Sequence, residues 1–398
     1  MQAQPMPATV VSPHLMPITD RPEAIFVRGE GAWLWDAAGR RYLDWLQGWA
    51  VNALGHCPPE LAAALQAQAG LLLTPSPALH NLPSLQLAQR LCALSGMHQA
   101  WFGSTGAEAN EGAIKLARKW GRMRRAGAFE IVTFENGFHG RNLATMAASG
   151  KPGWDRLFPP QVPGFVKARL NDLDSVRAAL GPDTVAVMLE PVQGEAGVRP
   201  ATRDFLQGLR ALCDECGLLL IFDEVQTGCG RLGAMFAFQH FGVMPDIVTL
   251  GKGLGGGVPI SAVLAREPAC VFEPGDQGGT YSGNPLMAAA SLAVLAVISE
   301  SDFLAGVCER GVQLRQGLES LSLHFGLGEV RGEGLLLALE LGSDQGPALV
   351  RAARERGLLL NAARPGCLRF MPRLNSTAEE VSCGLELLTQ VLQDVTVQ

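Results

Sequence analysis

Three textures of apolar and polar positions follow one another along the chain. Between residues 24 and 46 the short runs AIFV, AWLWD and RYLDW are broken by GEG and AAGR. Short runs bounded by glycine turns predict an antiparallel meander. From about residue 60 to 265 the runs are apolar throughout: QAWFG, FEIVTF, VAVMLE, LLLIFD, DIVTLG and SAVLA, separated by helical or turn-rich stretches. Strands apolar on both faces and alternating with helices predict a mainly parallel sheet covered on both sides, an α/β fold. From about residue 290 long helical patterns dominate, at 286–300, 303–324 and 377–394, with a few strands in EVRGEGLLLALEL and CLRFMP. Thr377 and Glu380 have the spacing of a capping box at the start of the last helix. The chain thus divides into an N-terminal arm and meander (1–58), a large α/β domain (59–288) and a C-terminal α+β part (289–398). The two outer pieces are expected to pack together as a smaller domain.

Composition narrows the possibilities. With 398 residues, 47% apolar and 18% charged, the chain can bury a large core. A net charge of -6 argues against nucleic-acid binding. The basic run Lys119, Arg122, Arg124 and Arg125 reads as the solvated end of a helix, where cations suit the dipole. The first 22 residues hold five prolines and no basic cluster followed by an apolar stretch, so no secretory leader is expected. No apolar run approaches the roughly 18 residues of a membrane span. Nine scattered cysteines suit a reducing, cytoplasmic setting. Cys213 and Cys216 have CxxC spacing but lie in a helical pattern and lack the second pair of a zinc ribbon. No two histidines lie within five positions of each other, so no metal is expected.

Ligands of open parallel sheets bind beyond the carboxyl ends of the strands. Three features fall there. Asp223 ends the run LLLIFD; a buried strand should not finish on a charge without a reason. Lys252 follows DIVTLG, one strand-to-strand step later. Ser104-Thr105-Gly106-Ala107-Glu108 follows QAWFG and opens a helix, with a capping-box pattern at Thr105 and Glu108 and a glycine that permits close backbone approach. A lysine, an aspartate and an anion cradle on one sheet edge suit pyridoxal phosphate, in which the lysine carries the cofactor and the aspartate keeps its ring nitrogen protonated. Two other readings stand beside this one: a surface lysine with a turn-capping aspartate, and a nicotinamide site at Gly251-Lys-Gly-Leu-Gly-Gly256. The second fits poorly, because a dinucleotide fingerprint must open a helix and this one runs into GGVPISAVLA.

From about residue 25 onward the chain resembles the class III aminotransferases of fold type I, most of all those acting on acetylornithine. The resemblance is carried by YLDWLQGWAVNALGHC (42–57), STGAEANEGAIKLARKWG (104–121), FHGR (138–141), LEPVQGEAGV (189–198), LLIFDEVQTGCGRLG (219–233), PDIVTLGKGLGGGVPISA (245–262), GGTYSGNPLM (278–287), EVRGEGLL (329–336) and LRFMP (368–372). It implies a seven-stranded large sheet, a pyridoxal 5'-phosphate cofactor and a homodimer with shared sites. The implied reaction moves the terminal amine of N2-acetylornithine to 2-oxoglutarate. Ornithine, succinylornithine and 4-aminobutyrate stay open as donors, and so does a cofactor-binding protein without turnover.

The resemblance also implies residue roles. Lys252 matches the cofactor lysine and Asp223 the partner of the ring nitrogen. Val225 and Phe138 match the residues on the two ring faces, and Gln226 the one that reaches the phenolic oxygen. Gly106 and Ala107 match the backbone donors of the phosphate site, beside Thr105, and Thr280 of the neighbouring subunit completes it. Arg141 matches a clamp for the substrate α-carboxylate. Glu195 and Arg369 match a switch pair in which Arg369 binds a carboxylate of glutamate or 2-oxoglutarate. The chain departs from the family pattern at Ser104, Thr105, Asn142, Leu232 and Gly279, and carries a bulky Trp49 where relatives line the substrate pocket.

Overall fold

The computed structural model describes residues 14–396; the first 13 residues of the N-terminal arm lie outside the described part. Three strands, β1 (Phe26–Glu30), β2 (Trp33–Asp36) and β3 (Arg41–Asp44), form the predicted antiparallel meander. The next four strands are β4 (Gln99–Gly103), β5 (Glu130–Phe134), β6 (Phe165–Ala168) and β7 (Thr184–Leu189). A small hairpin, β8 (Val192–Gln193) with β9 (Arg199–Pro200), projects after β7. Then come β10 (Leu219–Asp223), β11 (Ile247–Leu250) and β12 (Ser261–Ala265).

Seven of these make one sheet in the order β4-β12-β11-β10-β7-β5-β6. Its pairings are parallel except for β12, which is antiparallel to both its neighbours. Every residue of β7, β10, β11 and β12 is buried, which is why those segments read as unbroken apolar runs. The apolar-run reading missed β6: Lys167 interrupts it, and the strand lies at the sheet edge where polar residues are tolerated.

Helices on the sheet faces begin and end where local chemistry dictates. The helix Arg203–Cys216 starts at Thr202, whose side chain accepts from the Phe205 N–H, and stops at Gly217 in the left-handed conformation. It then feeds straight into β10. Cys213 is buried and Cys216 partly so, and both are free thiols. The basic run at the end of helix Gly106–Arg124 is not simply solvated. Arg122 and Arg124 are exposed. Lys119 instead pairs with Glu273 and Asp276, and Arg125 donates to the Thr184 and Cys216 carbonyls, because the 270s loop and the 184–217 region pack over that end.

The C-terminal part contributes β13 (Val330–Glu333), β14 (Leu336–Glu340), β15 (Leu358–Leu359), β16 (Asn361–Arg364) and β17 (Cys367–Phe370). Four of them form a sheet in the order β13-β14-β17-β16, while β15 pairs in parallel with β3 and so extends the meander. The helix Gly346–Glu355 connects β14 to β15 and was not read from the sequence. The predicted capping box of the last helix is present, with Glu380 N–H on Thr377 Oγ1 at 3.2 Å and Thr377 N–H on Glu380 Oε2 at 3.0 Å. No single helix among the described residues is long and apolar enough to cross a membrane.

Candidate active site

The three strand-end features converge. β4, β10 and β11 deliver Gly106, Asp223 and Lys252 to one edge, and glycines make the approach possible. A Cβ on Gly106 would lie 2.6 Å from Val225 Cγ1, and one on Gly251 would lie 3.3 Å from the same atom and 3.4 Å from Gly106 Cα. Thr105 and Glu108 form a reciprocal capping box, with Thr105 accepting the Glu108 N–H. This leaves the Gly106 and Ala107 N–H groups as donors at the helix start, where the dipole favours an anion. The 138–141 segment packs beside them, since a Cβ on Gly140 would lie 2.8 Å from that of Ala107.

Asp223 is held by a buried network. Its Oδ2 accepts from Asn110 Nδ2 at 2.8 Å and His139 Nδ1 at 2.7 Å, and its Oδ1 accepts from the Val225 N–H at 3.0 Å. Asn110 donates its other hydrogen to the His139 carbonyl at 2.7 Å. Its own oxygen accepts from Thr249 Oγ1 at 2.7 Å, which fixes the amide orientation. Thr249 pairs with Asp223 in the β10–β11 register, so the two side chains share a face of the sheet. A carboxylate with this many donors is fixed in direction. Asn110, His139 and Thr249 are not among the site residues expected from the sequence. The signal was available: Asn110 lies one helical turn after Gly106, and Thr249 is the one polar residue of an apolar strand.

Glu190, at the end of VAVMLE, was also passed over, although it ends its strand on an acid just as Asp223 does. It is buried and accepts from the Phe138 N–H at 2.8 Å. Burial, and then the charge of Asp223, push its carboxyl well above the usual range. Glu224 is equally buried and caps the helix Ala237–Phe241 by accepting the Ala237 and Phe238 N–H groups. Burial pushes it up to about 8 against those two donors.

Lys252 is partly buried and adopts a left-handed φ of 42° in the turn after β11, a strained conformation for a residue with a side chain. Burial first and the Arg369 charge next depress its amine, while Glu195, Asp223 and Glu190 act the other way. Beside it lies a second strained turn: Gln47, Gly48, Trp49 and Ala50 all have positive φ. Trp49 is 50% exposed on this turn.

Arg369 Nη1 lies 2.8 Å from Glu195 Oε1, and Arg369 Nε donates to Asn361 Oδ1 at 2.9 Å. Arg369 is 1% exposed and Glu195 28%. Burial tends to raise the Glu195 carboxyl, but the Arg369 charge and hydrogen bond outweigh it and hold it below its ordinary value. Gln226 is buried next to them, with its Oε1 1.7 Å from where a Gly194 Cβ would stand. Phe138 packs edge-on against Trp154 at 5.5 Å, and Arg141 is exposed with its guanidinium 6.0 Å from the Trp154 ring. Gly279 and Thr280 are exposed and line a cavity of about 200 Å³ with Ser104, Glu108 and Asn142.

A lysine, an aspartate and a helix N-terminus at the carboxyl edge of a mainly parallel sheet match what the pyridoxal-phosphate class of enzyme requires, and the donor set fits the cofactor. The Gly106 N–H region suits its phosphate, fixed Asp223 suits a protonated ring nitrogen, and Lys252 supplies an amine at the same sheet edge.

The chain belongs to the class-III aminotransferase family, whose model matches residues 17–392, and it is a pyridoxal-phosphate-dependent transaminase. It is 60% identical over 384 residues to acetylornithine aminotransferase 2 of Bordetella bronchiseptica, covering 96% of this chain and 97% of that one. The fold is similar to the crystal structure of N-acetylornithine aminotransferase from Stenotrophomonas maltophilia K279a, with a TM-score of 0.84 and 38% identity over 95% of this chain and 97% of that one. It also resembles an ornithine aminotransferase from Toxoplasma gondii whose active site holds pyridoxal phosphate at partial occupancy. There the TM-score is 0.90 and the identity 32%, over 97% of this chain and 92% of that one.

Proposed function

We propose that this transaminase moves the terminal amino group of N2-acetylornithine to 2-oxoglutarate. The observation that carries the reading is the near full-length identity with the Bordetella acetylornithine aminotransferase. When bound, pyridoxal phosphate supplies an electron sink that weakens the bonds at the carbon bearing the substrate nitrogen. The protein supplies the rest. Gly106 and Ala107, with Thr105, would bind the phosphate. Val225 and Phe138 would lie on the two ring faces, Gln226 would meet its phenolic oxygen, and Asp223 would keep a proton on its ring nitrogen. Lys252, whose amine burial depresses, would carry the cofactor, and its amine would move the proton of the substrate carbon beside the nitrogen.

Substrate recognition rests on two arginines. Arg141 clamps the α-carboxylate of the donor, with Trp49 and Gly279 shaping the pocket. Arg369 takes a carboxylate of glutamate or 2-oxoglutarate. Glu195 covers Arg369 when the amine donor is present, because a bare guanidinium in a desolvated pocket is costly. Support comes from the 2.8 Å contact and from the contrast in burial: Arg369 is locked, whereas Glu195 has room to move.

We read the working unit as a cytoplasmic homodimer in which Thr280 of one subunit completes the phosphate site of the other; the exposure of Thr280 on the single chain supports this. We also keep the division at residues 58 and 288, supported by the sheet that β15 shares with β3.

The test is a panel of amines with 2-oxoglutarate on the purified enzyme. N2-acetylornithine should give the highest kcat/KM. A higher value for ornithine, succinylornithine or 4-aminobutyrate would overturn the donor assignment.

A further inference from the structure

The motif EVRGEGLL contains an arginine, Arg331, to which nothing above gives a task. In the β13-β14-β17-β16 sheet Arg331 pairs with Ala338, Ala338 with Arg369, and Arg369 with Asn361. Directly opposed residues of antiparallel strands share a face. Arg331 and Arg369 therefore stand on the same face, two strands apart, with only the methyl of Ala338 between them. The 194–198 loop, which joins β8 to β9, spans this row. At one end Glu195 meets Arg369 at 2.8 Å. At the other the Gly197 carbonyl accepts from Arg331 Nε at 2.7 Å.

The loop between these contacts is wound tightly. Val198 N–H donates back to the Gly194 carbonyl at 3.3 Å. Gly197 has φ 88° and Val198 φ 54°. A left-handed conformation is strained for a β-branched residue and persists only when its surroundings enforce it. The enforcing contacts come from β13. Arg331 holds the Gly197 carbonyl, and the buried Val198 side chain sits against Gly332, where an added Cβ would lie 2.8 Å from Val198 Cγ1. Arg331 is itself fixed by Glu340 Oε2 at 2.6 Å and Cys367 Sγ at 3.4 Å. It reaches the loop backbone but neither Glu195 nor Arg369.

We propose that Arg331 is the positioning residue of the Glu195 switch: by pinning the strained Gly197–Val198 turn it sets where the Glu195 carboxylate stands over Arg369. This rests on the switch reading given above. With the backbone anchored at Gly197, exchange between substrates involves only the Glu195 side chain. With the anchor removed the turn relaxes, Glu195 loses its register with Arg369, and dicarboxylates gain at the expense of the amine donor.

The experiment uses the cofactor-loaded enzyme and four proteins: wild type, Arg331→Met, Glu195→Ala and the double variant. Met keeps most of the stem volume and removes the donors. Two quantities are read for each: the ratio of single-turnover rates for the glutamate and N2-acetylornithine half-reactions, and the affinity for glutarate by calorimetry. Arg331→Met should move the ratio toward glutamate by about tenfold, as expected when one charged hydrogen bond is lost, and should tighten glutarate. In the Glu195→Ala background it should move neither, because no carboxylate is left to position.

If Glu195→Ala alone changes neither quantity, the switch reading fails, and this proposal with it. If Glu195→Ala changes them but Arg331→Met does not, Arg331 is a structural staple and only this proposal is overturned. Equal shifts from Arg331→Met with and without Glu195 overturn it as well. Should Arg331→Met not fold, Arg331→Lys, which keeps the charge beside Glu340 but loses the planar fork, takes its place under the same criteria.

Discussion

Replacing Asp223 by asparagine changes one atom, and the surrounding network shows why the change cannot be absorbed. The native carboxylate accepts from the Val225 N–H on one oxygen and from Asn110 and His139 on the other. An amide has a single accepting oxygen. If that oxygen faces Val225, the new NH₂ confronts Asn110 and His139. His139 can adapt by moving its proton to Nε2, which has no partner among the described residues. Asn110 cannot adapt, because its oxygen is committed to Thr249 and its second hydrogen to the His139 carbonyl. If the amide turns over, the NH₂ confronts the Val225 N–H instead. Either way one hydrogen bond to a charged acceptor is lost, a cost of about 1.5–3 kcal/mol. The variant should therefore fold but unfold at lower denaturant concentration. Turnover should fall further than stability, because a neutral amide does not hold a proton on the ring nitrogen; losing one preorganised electrostatic group costs about 10²–10³-fold. The assay is steady-state transamination of N2-acetylornithine with excess pyridoxal phosphate, with absorbance confirming that the cofactor is retained. A folded, cofactor-loaded Asp223→Asn enzyme that turns over near the wild-type rate would refute the assignment.

Borohydride reduction of the loaded enzyme should fix the cofactor to Lys252; recovery of the label on any other lysine would remove Lys252 from its role. Gly106→Ala drives a methyl to 2.6 Å from Val225 Cγ1, so it should cost about 1–3 kcal/mol of stability and weaken cofactor binding measured by equilibrium dialysis; unchanged affinity would show that the phosphate sits elsewhere. Glu224, raised to about 8 in the folded state, binds its proton more tightly there than in the unfolded chain. Its contribution to stability is therefore complete below its unfolded value and is lost as pH rises toward 8, with a slope of up to about 1.4 kcal/mol per pH unit. Denaturant titrations from pH 5 to 8 should show a steeper decline in wild type than in Glu224→Gln, and parallel profiles would contradict the shift. Co-expressed Lys252→Ala and Thr280→Ala protomers should form heterodimers with one undamaged site; activity no higher than that of either variant alone would argue against shared sites.

The sequence by itself determined six of the seven strands of the large sheet and the edge at which its chemistry sits. β7, β10, β11 and β12 are buried on both faces, so their apolar runs were unambiguous, and a charge at the end of such a run stands out. That is why Asp223, Lys252 and the Thr105–Glu108 cap could be read directly. The edge strand β6, with Lys167 in its middle, had no such contrast, and the helix Gly346–Glu355 was likewise hidden in the C-terminal text. The tertiary structure alone decided the company each residue keeps. Asn110, His139 and Thr249 come from a helix, a loop and a strand, and they matter only because parallel register and helix packing bring them around one carboxylate. The same holds for Arg331 and Arg369: 38 residues apart in the chain, they share a face because β13, β14 and β17 pair in one register. Local sequence encodes propensity and burial over a few residues, whereas contacts between distant segments depend on how whole elements pack.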